Sequence, residues 1–313
     1  MGGKYFWMKV ALVTNYNEIC GISSYAENLV RFKDPRVEYK IIFDVSLEEA
    51  LSEIETCDAV HINFHRGISS IDKLPSLDII SSIKPTIVTS HNIDVIPKWA
   101  YRRALVTHVD VPAIRQHFPH LKVIPHGIPE YALNGAREEK LVITQCGYAY
   151  PNKNTEACAW AASRINERNI DVSMKLFMPA GRLNPASEIE KCEKHLYPNI
   201  PREYVTHWMS EEEVIQRLHR ETSVAVFWTQ DFEGPSGSIR MAIAAHKPVV
   251  ISPANRYVDI MGEEGVFIAE DSDSIPDRIL EAYDSRITTE ILAKKLSYFN
   301  TCKQYADLYE EII

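Results

Sequence analysis

Short apolar runs rich in β-branched side chains recur along the chain, separated by stretches whose apolar positions repeat every three or four residues. In the first half the runs are KVALVTN, YKIIFDV, AVHINF, TIVTSH, ALVTHV and KVIPHG. In the second they are LVITQCG, VSMKLFM, SVAVFW, KPVVIS and GVFIAE. Strands that are nearly continuous in apolar residues are covered on both faces, and helices between them supply the cover, so the pattern predicts parallel sheets. It does so twice. Between the halves, VIPHGIPEYALNGAREEK interrupts the periodicity with prolines and glycines before a charged run, which places a linker at 125–139. The expected fold class is α/β, with two Rossmann-like doubly wound domains, residues 1–130 and 131–296, facing a cleft. Capping boxes are expected at Ser24–Glu27 and Ser210–Glu213.

The length of 313 residues agrees with two cores rather than one. The longest apolar runs fall far short of the roughly 20 residues a membrane span needs, and the start of the chain has no signal-peptide apolar region. A soluble, cytoplasmic protein is expected. The six cysteines include no C-x-x-C pair, so free thiols are expected. The net charge of -9 comes mostly from residues 131–313. Against it stands a basic segment in which Lys98, Arg102, Arg103, Arg115 and Lys122 meet only Asp110, interleaved with Trp99 and Tyr101. Three readings of it are open: a solvated face, a patch for an anionic membrane, or a contact for an anionic acceptor such as a phosphorylated glycan, a lipid carrier or nucleic acid.

Chemistry concentrates in glycine-bearing loops that follow strands and open helices. Gly21 does so in the first half, and the loop Asp231 to Ser238 does so in the second. Helix-start amides with hydroxyls nearby suit a diphosphate. Neither loop is a G-x-G-x-x-G or a P-loop, so dinucleotide and ATP readings gain no motif. CGYAYPNKN supplies Lys153 as a point charge after another strand. Glu233, an acid where an anion loop would avoid one, reads as an acceptor for hydroxyl groups.

The segments GISSYAENL, TSHN, VIPHGI, CGYAYPNKN and EGPSGSIRMAIAAHKPVV resemble, in order and spacing, those of retaining GT-B glycosyltransferases that use nucleotide sugars, over about residues 8–260. That resemblance implies an acceptor-binding first domain, a donor-binding second domain and a helix over 297–313 crossing back onto the first. It implies that Gly21 lies by the donor phosphate, that His91 reaches the transferred sugar, and that Lys153, in one loop with Gly147 and Tyr148, holds the diphosphate. Glu233 with Gly234, Pro235, Ser236, Gly237 and Ser238 would hold sugar hydroxyls and phosphate oxygens. The nucleoside-diphosphate sugar is then a co-substrate, with no other cofactor and no metal. Where the family has a second loop glutamate this chain has Met241, where it has an arginine this chain has Tyr148, and Pro235 removes one amide. Arg240, Ser236 or Ser238 would compensate. Two rivals stand beside transfer: a binding protein that senses a nucleotide sugar, and an epimerase, for which no further acid pair is found. Asp271-Ser-Asp273 reads as the start of a helix with Ser274 and Pro276, not as a metal site. His61 and His65, about 13 Å apart if on a strand, are too distant to share a zinc.

Overall fold

The computed structural model describes residues 7–16, 20–65, 76–91, 96–110, 112–135, 140–179, 184–229 and 236–313. These fall into two compact units: one takes the residues up to Gly127 together with Leu296–Ile313, and the other takes those from Ile128 to Lys295.

The first unit holds β1 (Met8–Val13), β2 (Val37–Ile42), β3 (Ala59–Phe64), β4 (Thr86–Ser90), β5 (Ala104–Thr107) and β6 (Lys122–Val123). They lie in the order β2-β1-β3-β4-β5-β6, and every pairing is parallel. The central strands β3 and β4 are buried along their whole length, as their unbroken apolar runs require, whereas the edge strand β2 alternates. Helices α1 (Gly21–Arg31), α2 (Leu47–Glu55), α3 (Leu77–Ile80) and α4 (Pro112–His117) connect them. The expected cap at Ser24 is corrected: α1 begins three residues earlier, with Cys20 as N-cap, its sulfur accepting from Ser23 N at 3.4 Å. The first turn is therefore already closed when Ser24 is reached, and Glu27 accepts from the Ser23 hydroxyl instead. A full capping box occurs at Ser46 and Glu49, at the start of α2.

The second unit holds β7 (Leu141–Cys146), β8 (Val172–Phe177), β9 (Arg202–Val205), β10 (Val224–Phe227), β11 (Val249–Ile251) and β12 (Val266–Ile268), in the order β12-β11-β10-β7-β8-β9, again all parallel. Its helices are α5 (Glu156–Asn166), α6 (Ala186–His195), α7 (Glu211–Glu221), α8 (Gly237–Ala244), α9 (Ile275–Ser285) and α10 (Glu290–Lys295). Strand β9 is absent from the apolar pattern. At α7 the serine half of the expected box is present, Ser210 Oγ accepting from Glu213 N. Before α9, Asp271 and Ser274 hydrogen-bond each other and Pro276 sits in the first turn. Among the described residues no group of three or more acids, histidines and cysteines is assembled for a metal.

The last helix, α11 (Tyr298–Ile312), belongs to the first unit and completes its core. Tyr298, Cys302, Tyr305 and Tyr309 pack with Val10, Tyr25, Leu29, Ile87 and Val106. Gly127 makes room for this: a Cβ there would come within 2.5 Å of the Tyr298 ring. Beneath the helix runs a buried chain of hydrogen bonds. Tyr25 donates to the Tyr305 hydroxyl at 3.0 Å, which lies 2.8 Å from Thr89 Oγ1, itself 2.8 Å from His61 Nε2. His61 Nδ1 is 2.6 Å from the Tyr309 hydroxyl. His61 is thus a packed link in the core. Burial holds its imidazole neutral, with a pKa near 3. All six cysteines are free thiols, and no described helix is long and apolar enough to cross a membrane.

Candidate functional site at the switch point of the second sheet

In the second sheet the strand order runs outward from β7 in one direction through β8 and β9, and from β10 in the other through β11 and β12. The crevice for a ligand in such a sheet lies beyond the carboxyl ends of the two strands where the order reverses, here β7 and β10. Strand β7 ends at Cys146 and is followed by Gly147, whose φ of 130° favours glycine. A Cβ at 147 would stand 2.5 Å from Ser238 Oγ. The Cys146 thiol donates to the Ser238 carbonyl at 3.4 Å. Gly147 and the first turn of α8, some 90 residues apart in sequence, therefore abut at the switch point.

The loop after Gly147 is pinned from both sides. Gln145 Nε2 donates to the Lys153 carbonyl at 2.7 Å, and Thr229 Oγ1, just past β10, donates to the Asn152 carbonyl at 2.7 Å. Residues Pro151–Lys153 form a single 3-10 turn closed by Asn154 in the left-handed region. Burial pushes the Cys146 thiol up to about 12 while the nearby Lys153 charge opposes the shift. The half-buried Lys153 ammonium is thus electrostatically coupled to the end of β7. Helix α8 opens on Ser236, whose side chain makes no cap bond, and its first turn carries no acid. The first-turn amides lack intrahelical acceptors, and the positive end of the helix dipole adds to them. Gly237 has neither a positive φ nor any atom within 4 Å of the place a Cβ would take. The fold does not require a glycine there.

Of the residues expected at the site, the structure brings together Gly147, Tyr148, Lys153, Ser236, Gly237 and Ser238 in the second unit. Arg240 is turned into the unit: it is 2% exposed, ion-paired with Asp259, and its Nε and Nη1 have no hydrogen-bond acceptor among the described residues. Glu233, Gly234 and Pro235 lie outside the described residues. A residue missed by the pattern is Trp208, 48% exposed beyond β9 and stacked on Tyr148 at 6.2 Å and 21°. Its signal in the sequence was its place, two residues before the Ser210 cap of α7.

In the first unit, Gly21 is the first residue of α1, and like Gly237 it has open space where a Cβ would be. His91 follows β4 and is 7% exposed. Its Nε2 is bound to Asn63 Oδ1, and its ring lies 4.8 Å from both Tyr25 and His108. Tyr25 also meets His108 and His126 at 4.9 Å. Burial, then the neighbouring His108 and His126, hold the His91 pKa well below its ordinary value, so the ring is neutral. In the basic segment Arg115 makes a two-bond pair with Asp110 and Lys122 pairs with Glu311, while Lys98 and Arg102 are exposed.

No protein-family model matches the chain, and no curated protein matches it in sequence. Solved structures do. Anabaena HepE in complex with UDP superposes with a TM-score of 0.74 at 12% identity, covering 97% of this chain and 100% of HepE. Its complex with UDP-glucose gives 0.71 over the same extents. A glycosyltransferase from Rickettsia africae gives 0.72 at 10% identity, covering 98% of each chain. The chain has the GT-B fold. Within this GT-B chain, the position at which the resembling family carries an arginine is Tyr148, and its ring has been recruited into an aromatic stack with Trp208. Met241 is half-buried on α8, one residue beyond the inward-facing Arg240.

Proposed function

We propose that this protein is a glycosyltransferase that moves a sugar from a nucleoside diphosphate to an acceptor. The observation that carries the reading is the meeting of Gly147 with the uncapped start of α8 beside Lys153. Support also comes from the fold, shared with a protein solved with UDP and UDP-glucose. Breaking a sugar–phosphate bond develops negative charge on the departing diphosphate. In this reading the amides of Gly237 and Ser238 and the Lys153 ammonium face the departing phosphate, and they stabilise that charge as it forms. With positive charge supplied this way, the reading needs no metal: chelation is expected to leave turnover unchanged. The resemblance adds retention of anomeric configuration, Glu233 and the amide of Gly234 holding sugar hydroxyls, Gly21 by the phosphate, and His91 placing the sugar or its oxocarbenium-like state. A neutral imidazole suits that last task better than a cation would. Cytoplasmic location and an anionic acceptor met by Lys98, Arg102, Arg103 and Arg115 complete the reading.

Lys153→Ala and Glu233→Ala are expected to lower transfer by about 100-fold or more with unchanged far-UV circular dichroism. Near-normal turnover in both would refute the assignment. The second reading, a sensor that binds a nucleotide sugar without transferring it, is favoured by Tyr148 and Met241, which replace charged family residues. Incubation with a panel of nucleotide sugars separates the two, since a sensor releases no nucleoside diphosphate from any of them.

A further inference from the structure

The basic segment, which the transferase reading offers only as a general contact for an acceptor, carries a defined cavity of its own. A cavity of about 450 Å³ opens in the first unit, lined by Arg103, Ala104, Pro119, His120, Leu121, Lys122, Leu308, Glu311 and Ile312. Ala104 and Lys122 are the first residues of β5 and β6. The cavity therefore lies at the amino ends of these strands, away from the carboxyl ends where ligands of doubly wound sheets bind. Its volume is in the range of small-molecule sites.

The charges lining the cavity do not balance. Glu311 is its one acid, and both carboxylate oxygens are taken by Lys122 Nζ, at 3.2 and 3.0 Å. That pair is self-sufficient. Arg103 makes no ion pair and no side-chain hydrogen bond among the described residues, and its Nε is buried without an acceptor. Lys98 and Arg102, on the adjoining 3-10 turn Lys98–Arg102, have no acidic partner among the described residues, but they are exposed. Arg103 is half-buried. A donor nitrogen withdrawn from water without an acceptor is costly, and a guanidinium lining a cavity with no acid of its own calls for an explanation. An anion is the direct one, because the guanidinium fork matches phosphate oxygens. Ala104, Pro119, Leu121, Leu308 and Ile312 add an apolar wall too large for a bare ion.

We propose that this cavity binds an amphiphilic phosphate: a phosphate ester whose anionic group pairs with Arg103 and whose apolar part rests on Leu121, Leu308 and Ile312. Two sources share that chemistry, a soluble phosphate ester and the headgroup of an anionic lipid. The inference rests on the cavity and Arg103 rather than on the donor site, and its test reads binding only, so it stands or fails separately from the transfer chemistry.

Dibutyl phosphate titrated into the full chain by calorimetry is expected to bind at one site, with inorganic phosphate binding more weakly. Arg103→Met, which keeps the stem but not the fork, is expected to weaken binding by about tenfold or more. Arg102→Ala should leave it unchanged. If Arg103→Met does not fold, Ile312→Asp, which places a carboxylate at the frayed end of α11, serves in its place and is expected to repel the ligand. Absence of saturable binding, or equal binding by Arg103→Met and Ile312→Asp, would overturn the proposal. Sedimentation with phosphatidylcholine vesicles, with and without phosphatidylglycerol, then separates the sources. Binding to the anionic vesicles that Arg103→Met abolishes assigns a lipid headgroup, and saturable dibutyl phosphate binding without vesicle binding assigns a soluble ester. Vesicle binding insensitive to Arg103→Met but lost in salt means a diffuse basic surface, and the site is then rejected.

Discussion

At the carboxyl end of the first sheet, His91, His108 and His126 follow β4, β5 and β6 in turn and close on one another around Tyr25, with Asn63 completing the group. At the same end of the second sheet, Gly147 and Ser236–Ser238 are drawn together, and the helix start has no side-chain cap. Both ends descend from the same parallel architecture. The difference is in how the polar groups are discharged. The first end links its polar groups to one another through ring contacts and side-chain hydrogen bonds, whereas the second leaves the start of α8 uncapped. A shared architecture therefore does not fix how the polar groups at a sheet end are used.

Acid should break the comparison most strongly. Unfolded histidines titrate near 6.5, and in the folded chain His61 is held near 3 and His91 well below its ordinary value. Below about pH 6.5 the unfolded chain takes up protons that the folded chain refuses, so stability is complete above that pH and falls as the pH drops. His61 alone would cost about 2 kcal/mol by pH 5. Amide hydrogen exchange is expected to show α11 losing protection on acidification before α8 does. His61→Gln, which keeps a donor and an acceptor but does not titrate, should flatten that loss; an unchanged pH profile would count against the buried network as its cause.

A smaller effect is expected from Gly147→Ala, which strains a backbone at φ 130° and presses on Ser238. The cost should be about 1–3 kcal/mol, with a fall in affinity for UDP-sugars measured by fluorescence. Gly237→Ala meets no atom and should keep stability within a few tenths of a kcal/mol while still lowering affinity, because the added methyl stands where a ligand would approach. The mildest change is Trp208→Ala, where loss of one aromatic face should weaken donor binding by about fivefold. No change there would limit the Tyr148–Trp208 stack to a structural role.

The central strands were legible because burial on both faces writes itself as an unbroken apolar run, as in AVHINF and LVITQC. Strand β9 was not: as an edge strand reading Arg-Glu-Tyr-Val it buries only Val205, and with it the place of Trp208 was lost. Cys20 escaped notice as a cap because a thiol is a weak acceptor outside the usual capping set. Arg240 was expected to face the loop, yet its position on α8 falls on the inward side, between the buried Ile239 and Ala242, where Asp259 compensates its charge. The partners of His91 sit at positions 63, 25 and 108, and no local pattern links such distant residues. What could be read locally was the loop chemistry, because glycine, serine and lysine are contiguous in the sequence before they meet in space.

Helix α11 has a consequence for how the chain is made. The core formed by residues up to Gly127 lacks Tyr298, Tyr305 and Tyr309 until the segment after Lys295 has been made, while residues Ile128 to Lys295 are all in hand earlier. On the ribosome, where domains generally mature in the order they emerge, the later-encoded unit can finish first. The earlier one must wait, with the His61 hydroxyl relay open to water, for a helix encoded some 170 residues downstream.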